Sequence, residues 1–243
     1  AAVTALAMLG TTAQASILTA TNGSEVIASF VNPLDGSTIS FDTGVTSLTA
    51  GLSIALPEAV VTFIDGAGGL SNVQYGLISA NTTTRLYQTS SSLADFAETA
   101  EIANSLRLTA FQPSSNQLIQ NLNDQVLPPT GPEVNEVYGP FLPGEGVNYL
   151  DGGYDTWRTG LFNLSNLGTA SDPLYLYGVQ FRTGSSQLGF AVVTALEDGG
   201  NPLLAQISDG FIQVQVVPVP AAAWLLASGL GLLGLARRKT FAA

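Results

Sequence analysis

The residues best suited to chemistry are oxygen donors. Asp151-Gly152-Gly153-Tyr154-Asp155-Thr156-Trp157, with Glu145 upstream, places two carboxylates on either side of a Gly-Gly turn. Calcium takes about six to eight hard oxygen ligands, so Asp151 and Asp155 could hold Ca²⁺, the one metal this pattern suggests. Tyr154 and Trp157 could give a sugar ring an apolar platform. The spacing is not that of an EF-hand loop. The same residues also read as turn formers beside a tryptophan that anchors the loop to a core. Glu98/Glu101, Glu133/Glu136 and Asp151/Asp155 are the residue types a glycosidase sets across a cleft. In a chain with 18 acidic residues such pairs are expected by chance.

Other chemistries drop out by composition. There is no cysteine and no histidine, which removes thiolate catalysis, disulfides, Cys/His zinc sites and any imidazole general base. No P-loop, GxGxxG or GxSxG motif is present. The expectation is a protein that is not an enzyme and carries no cofactor beyond a possible Ca²⁺. Hydrophobic residues are 46% of the chain, enough for a packed core, while charged residues are only 10% against about 25% in an average soluble protein. Small uncharged polar residues fill the difference, a surface suited to an extracellular β-protein. Before residue 237 the chain has 18 acidic residues against four arginines, a formal charge of −14. Such a surface repels phosphate backbones, so nucleic acid is not an expected partner.

The elements that would position these residues read mainly as strands. Period-two alternation with turn punctuation runs through Glu25–Val31, Ser37–Phe41, Leu48–Leu56, Val73–Ala80, Thr84–Tyr87, Tyr175–Arg182, Leu188–Leu196 and Phe211–Val217. Ile39 and Phe41 share a face. Asn32-Pro33, Asp35-Gly36, Asp198-Gly199-Gly200 and Asp209-Gly210 are turn signals. Pro57-Glu58 before AVVTFIDGAG predicts a short helix, with proline and acid at its start and glycines at its stop. Leu93–Ala103 is read as strand, and Asn116–Val126 fits either state. Residues 127–160, with five prolines and seven glycines, read as a long irregular excursion. The expected class is all-β, a β-sandwich of jelly-roll or immunoglobulin-like kind with one short helix, spanning 16–217.

Both ends read as addresses. Residues 1–15 form a small apolar run closing on Ala13-Gln14-Ala15, the pattern of a secretory signal cut before Ser16. No positively charged start precedes it, so residue 1 is expected to fall partway through that signal. A buried N-terminal helix is the other reading. Residues 218–239 carry a proline break, an apolar run over 221–236 and the basic cluster Arg237-Arg238-Lys239. As a helix that run spans roughly 24 Å of a hydrocarbon core about 30 Å thick. Trp224 suits the outer interface and the basic cluster the cytoplasmic side, which predicts a C-terminal transmembrane helix with the body outside.

Val217-Pro218-Val219-Pro220-Ala221, with the apolar run and basic end behind it, resembles the PEP-CTERM sorting signal. The nearest form is the variant whose motif reads V-P-L-P-A, and Val219 stands where that variant has leucine. Phe41–Leu48 and Val73–Ala80 also resemble segments of other PEP-CTERM bodies, which have no established activity to transfer. The resemblance implies recognition by exosortase, a membrane-embedded protease-transpeptidase of Gram-negative bacteria. It further implies passage through the inner membrane to the cell surface or extracellular matrix, with exopolysaccharide as a possible partner. A structural or adhesive role in a biofilm matrix is the leading expectation, and a carbohydrate- or calcium-binding surface module is the alternative. A plain single-pass anchor would explain the apolar run and arginines but not the prolines.

Overall fold

Two-residue turns with positive φ organise the C-terminal half. Gly199 (φ 59°) and Gly200 (φ 80°) close one hairpin, and Asp209 (φ 52°) and Gly210 (φ 79°) close the next. Positive φ at both central residues matches the right-handed twist of the strands they join, and glycine adopts it without steric cost. The computed structural model describes residues 19–20, 23–79, 86–90, 117–122, 124, 136–151, 156–158, 163–165, 167–181 and 191–217. The expected signal (1–15) and sorting tail (218–239) lie outside these, as does the strand expected over 93–103. Among the described residues no helix is long and apolar enough to cross a membrane.

The strands are β1 (Thr19–Ala20), β2 (Gly23–Ser24), β3 (Val26–Val31), β4 (Thr38–Asp42), β5 (Ser53–Ala55), β6 (Gln74–Ser79), β7 (Leu86–Ser90) and β8 (Val137–Phe141). There follow β9 (Thr156–Arg158), β10 (Asn163–Ser165), β11 (Gly168–Thr169), β12 (Leu174–Phe181), β13 (Ala191–Ala195), β14 (Glu197–Asp198), β15 (Asn201–Ser208) and β16 (Phe211–Val216). All pairings among them are antiparallel. The main sheet runs β5-β16-β15-β12-β7-β6-β3-β4-β8, while β1-β2 and β9-β10 form separate small ribbons. The chain is all-β in class, as its alternation predicts.

This sheet doubles over on itself. β6 and β15 are three positions apart in the order, roughly 14 Å in a flat sheet and beyond the reach of a tyrosine. Yet the Tyr75 hydroxyl on β6 donates to the Ala205 carbonyl on β15 at 2.7 Å. One core joins both layers: Val26, Ala28, Phe30, Ile39, Phe41, Tyr75 and Leu77 meet Leu174, Leu176, Leu203, Ala205, Ile212 and Val214. Phe30 stacks on Phe41 with centroids 6.3 Å apart and on Tyr75 at 6.1 Å. Each such pair contributes about 0.5–1.5 kcal/mol beyond area burial.

Helix α1 (Glu58–Gly66) closes one side of that core. Pro57, at φ −59°, precedes it, Glu58 sits in the first turn near the positive end of the helix dipole, and Val60 and Ile64 bury one face. The helix stops at Gly66–Gly69, where the Gly69 amide returns to the Ile64 carbonyl at 2.9 Å. A second helical segment at 117–122 resolves the ambiguous reading of Asn116–Val126. Leu118, Ile119 and Leu122 are buried there.

The structure corrects four other expectations. The 127–160 excursion is not irregular throughout, because β8 runs through it. Pro140 is tolerated because β8 is the edge of the sheet, where a missing N–H costs no ladder bond. Gly139 has φ +107° and packs so tightly that a Cβ would lie 2.9 Å from the Thr38 carbonyl oxygen. β15 lies between the two turn signals but its Leu203-Leu204-Ala205 run is buried throughout and does not alternate. Regular strand in Leu48–Leu56 shrinks to β5, although Leu48 and Ile54 are buried and Leu52 and Leu56 pack on the core. Finally, β3 and β4 are buried at every position rather than on one face only.

Candidate functional site

Residues 142–151, which carry Glu145 and Asp151, form a turn tied together by their own carboxylates. Gly144 (φ 90°) and Gly146 (φ 73°) bend the chain so that its amides point inward. Asp151 Oδ2 accepts the Gly144 N–H at 2.8 Å and the Gly146 N–H at 3.1 Å, and Oδ1 lies 3.1 Å from the Gly144 nitrogen. Glu145 Oε2 accepts the Leu142 N–H at 2.7 Å. Both acids therefore satisfy backbone donors that the turn leaves without partners, which is the turn-forming reading of these residues. Asn148 anchors the loop: its Nδ2 donates to the carbonyls of Gly36 at 2.8 Å and Phe141 at 3.0 Å. The Tyr149 amide donates to Thr38 Oγ1 at 3.1 Å. Asn121 Nδ2 reaches the Gly146 carbonyl at 3.3 Å, tying the 117–122 segment to the same loop.

Of the loop residues singled out in the sequence, Glu145 and Asp151 are brought together on this turn. Trp157 lies in β9 opposite Leu164 of β10. Tyr154 and Asp155 lie outside the described residues. Among the described residues no three Asp, Glu, His or Cys side chains group as a metal site.

A second acidic constellation was not singled out in the sequence. Ile27 pairs with Asp42, Ser29 with Ser40 and Val31 with Thr38 across β3 and β4. Ser40 pairs with Tyr138 of β8, and the Asp42 amide donates to the Glu136 carbonyl at 2.9 Å. Residues directly opposite in a sheet share a face, so Glu25, Ser29, Thr38, Ser40, Asp42, Glu136 and Tyr138 line the face turned away from the core. This face is buried too, with Asp42 0% and Glu25 5% exposed.

Its polar groups are mostly paired. Ser29 Oγ and Ser40 Oγ are 2.7 Å apart, and the Tyr138 hydroxyl donates to Glu136 Oε2 at 3.2 Å. The Thr43 hydroxyl donates to the Val26 carbonyl at 2.7 Å. Asp42 Oδ1 accepts the Gly44 N–H at 2.9 Å, while its buried Oδ2 has no hydrogen-bond partner. Burial, aided by the neighbouring Glu25 and Glu136 carboxylates and opposed by the Gly44 N–H, pushes the Asp42 carboxyl up to about 7. Burial and the same acids hold the Tyr138 phenol protonated far above its usual range.

The sequence signal for this face was the kind of residue at outward positions. β3 and β4 present Ile, Ser, Val, Thr, Ser and Asp there, where a solvated strand would carry long charged side chains.

Two open clefts lie elsewhere. One, of about 630 Å³, is lined by Ile39, Glu58, Ala59, Thr62, Phe63 and Pro140. The other, of about 330 Å³, has Ser47–Ala50 and Leu203 together with Glu197 and Asp198. Among the described residues the first has a single carboxylate, and in the second both acids are neighbours on β14. Among those residues neither sets two carboxylates across a gap as glycoside hydrolysis requires. Comparison with protein-family models, with curated proteins and with solved structures finds no match to this chain.

Proposed function

We propose that this chain is an exported cell-surface or extracellular-matrix protein, delivered by a signal segment at 1–15 and sorted through a PEP-CTERM-type tail at 218–239. Its body is then a β-sandwich of jelly-roll or immunoglobulin-like kind, held by a transmembrane helix at 221–236 until an exosortase processes it. The role is non-catalytic, structural or adhesive in an exopolysaccharide matrix.

The observation that carries this reading is where the last described strand ends. β16 ends at Val216, and the Val217 amide makes a last bond to the Pro202 carbonyl at 2.9 Å. Pro218-Val219-Pro220-Ala221 begins on the next residue. Proline cannot extend a ladder, so a motif that follows the last described strand directly in sequence supports reading it as a processing segment. The acidic, lysine-free body supports the same reading, since it stays soluble outside the membrane without cationic attraction to lipid headgroups.

The test is the intact mass of the protein recovered from native cells and medium. The expected species lacks residues 1–15 and everything beyond roughly Pro220. Replacing Pro218 and Pro220 with alanine should leave the tail attached and the protein in the membrane fraction. A full-length species in the cytoplasm would overturn export and sorting together.

A further inference from the structure

We propose that Asp42 is held protonated in the folded chain, and that this buried carboxyl is a pH-sensitive lock on the joined ends of β3, β4 and β8, closed in acid and loosened as the pH rises.

The geometry calls for a proton. Asp42 is 0% exposed and its Oδ2 meets no donor, although an unpaired buried acceptor costs about 1–3 kcal/mol. A second buried carboxyl neighbours it, that of Glu25, itself 5% exposed and just ahead of β3. An ionised Asp42 would carry the cost of its burial and, beyond that, meet the negative charge of Glu25. A proton on Asp42 removes that charge and makes the unpartnered oxygen a donor.

Among the described residues, the other titratable groups facing Asp42 lie in β8 and just ahead of it. They are Glu136, whose carboxylate adds negative charge, and Tyr138, whose hydroxyl is directed to Glu136 Oε2. The backbone makes the cluster a junction, because Asp42 N–H is bonded to Glu136, and Thr43 N–H to Val26 at 3.1 Å. A charge forced onto Asp42 therefore strains β3, β4 and β8 together.

The sign follows from linkage. The folded-state value of Asp42, about 7, lies above its ordinary 3.8, so the folded chain holds a proton that the unfolded chain releases. The stability this contributes is complete below about 3.8 and is lost as pH rises through about 7. The chain has no histidine and no cysteine, and ordinary carboxylates are already ionised by about pH 5.5. Apart from the chain's α-amino group, nothing else normally titrates between there and pH 8.5.

The experiment is thermal unfolding of the untagged full-length chain in neutral detergent, at steps from pH 5.5 to 8.5, for the wild type and Asp42→Asn. The wild-type Tm should fall by about 4 °C or more across the window, and Asp42→Asn should flatten the profile. A flat wild-type profile, or an equal slope in Asp42→Asn, would overturn the proposal. Should Asp42→Asn not fold, infrared spectra of the wild type decide. A neutral-carboxyl band present at pH 6 and gone at pH 8.5 supports the buried proton on Asp42, and its absence at pH 6 overturns it. A Ca²⁺-dependent rise in Tm at pH 8 that Asp42→Asn abolishes would also overturn it, and would assign the carboxyl to a cation.

Discussion

β3 and β16 are both six-residue strands of one sheet, yet β3 is buried at every position and β16 alternates between buried and accessible. Their inward residues do the same work, with Val26, Ala28 and Phe30 facing Ile212 and Val214 in one core. The difference lies outward. β16 shows Phe211, Gln213 and Gln215 towards solvent, whereas β3 shows Ile27, Ser29 and Val31 to a covered space. The 142–151 loop, pinned through Asn148 and Tyr149, closes over that second face of β4. A layer that is covered on both faces cannot leave polar groups to water. It pairs them, as Ser29 with Ser40, or holds them at a cost, as Asp42. A layer covered on one face has no such obligation.

The contrast can be broken hardest from the shared core. Phe30→Ala removes a fully buried ring stacked on Phe41 and Tyr75, and should cost about 3–5 kcal/mol in urea unfolding. A loss below 1 kcal/mol would mean that the two layers do not share one core. Tyr75→Phe is a gentler probe of their closure. It keeps the ring but deletes the hydroxyl that reaches Ala205, so about 1–2 kcal/mol should be lost. An unchanged midpoint would say that the bond across the layers adds nothing to stability.

What could be read from the chain, and what could not, divides along the same line. The turns at Asp198–Gly200 and Asp209-Gly210 and the helix after Pro57 depend on residues next to one another, and each formed where its own sequence signalled. β8 was hidden by Gly139 and Pro140, residues that break central strands but fit an edge. β15 was hidden because a run buried from Leu203 to Ala205 has no period of two. Glu145 and Asp151 were legible as neighbours on a turn, since a few residues separate them. The Glu25, Asp42 and Glu136 constellation was not, because only the pairing of β3, β4 and β8 brings them together. Alternation tells which residues share a face, and says nothing about whether a loop will later cover that face.

The smallest effects give the sharpest comparison, because each layer holds a cross-strand side-chain bond of the same length. Ser29 and Ser40 meet at 2.7 Å in the covered layer, and Gln215 Nε2 donates to Gln206 Oε1 at 2.7 Å in the solvated one. Ser29→Ala leaves a buried hydroxyl without its partner and should cost about 1–3 kcal/mol, while Ser29→Ala with Ser40→Ala should recover most of that loss. Gln215→Ala should stay within about 0.5 kcal/mol of wild type, since water replaces the lost partner. The readout is a double-mutant cycle by urea unfolding for each pair. A large coupling energy for the serines and none for the glutamines would follow from burial alone. Equal coupling in both cycles would mean that the outer face of β3 and β4 is open to water in solution, and the distinction between the layers would fall.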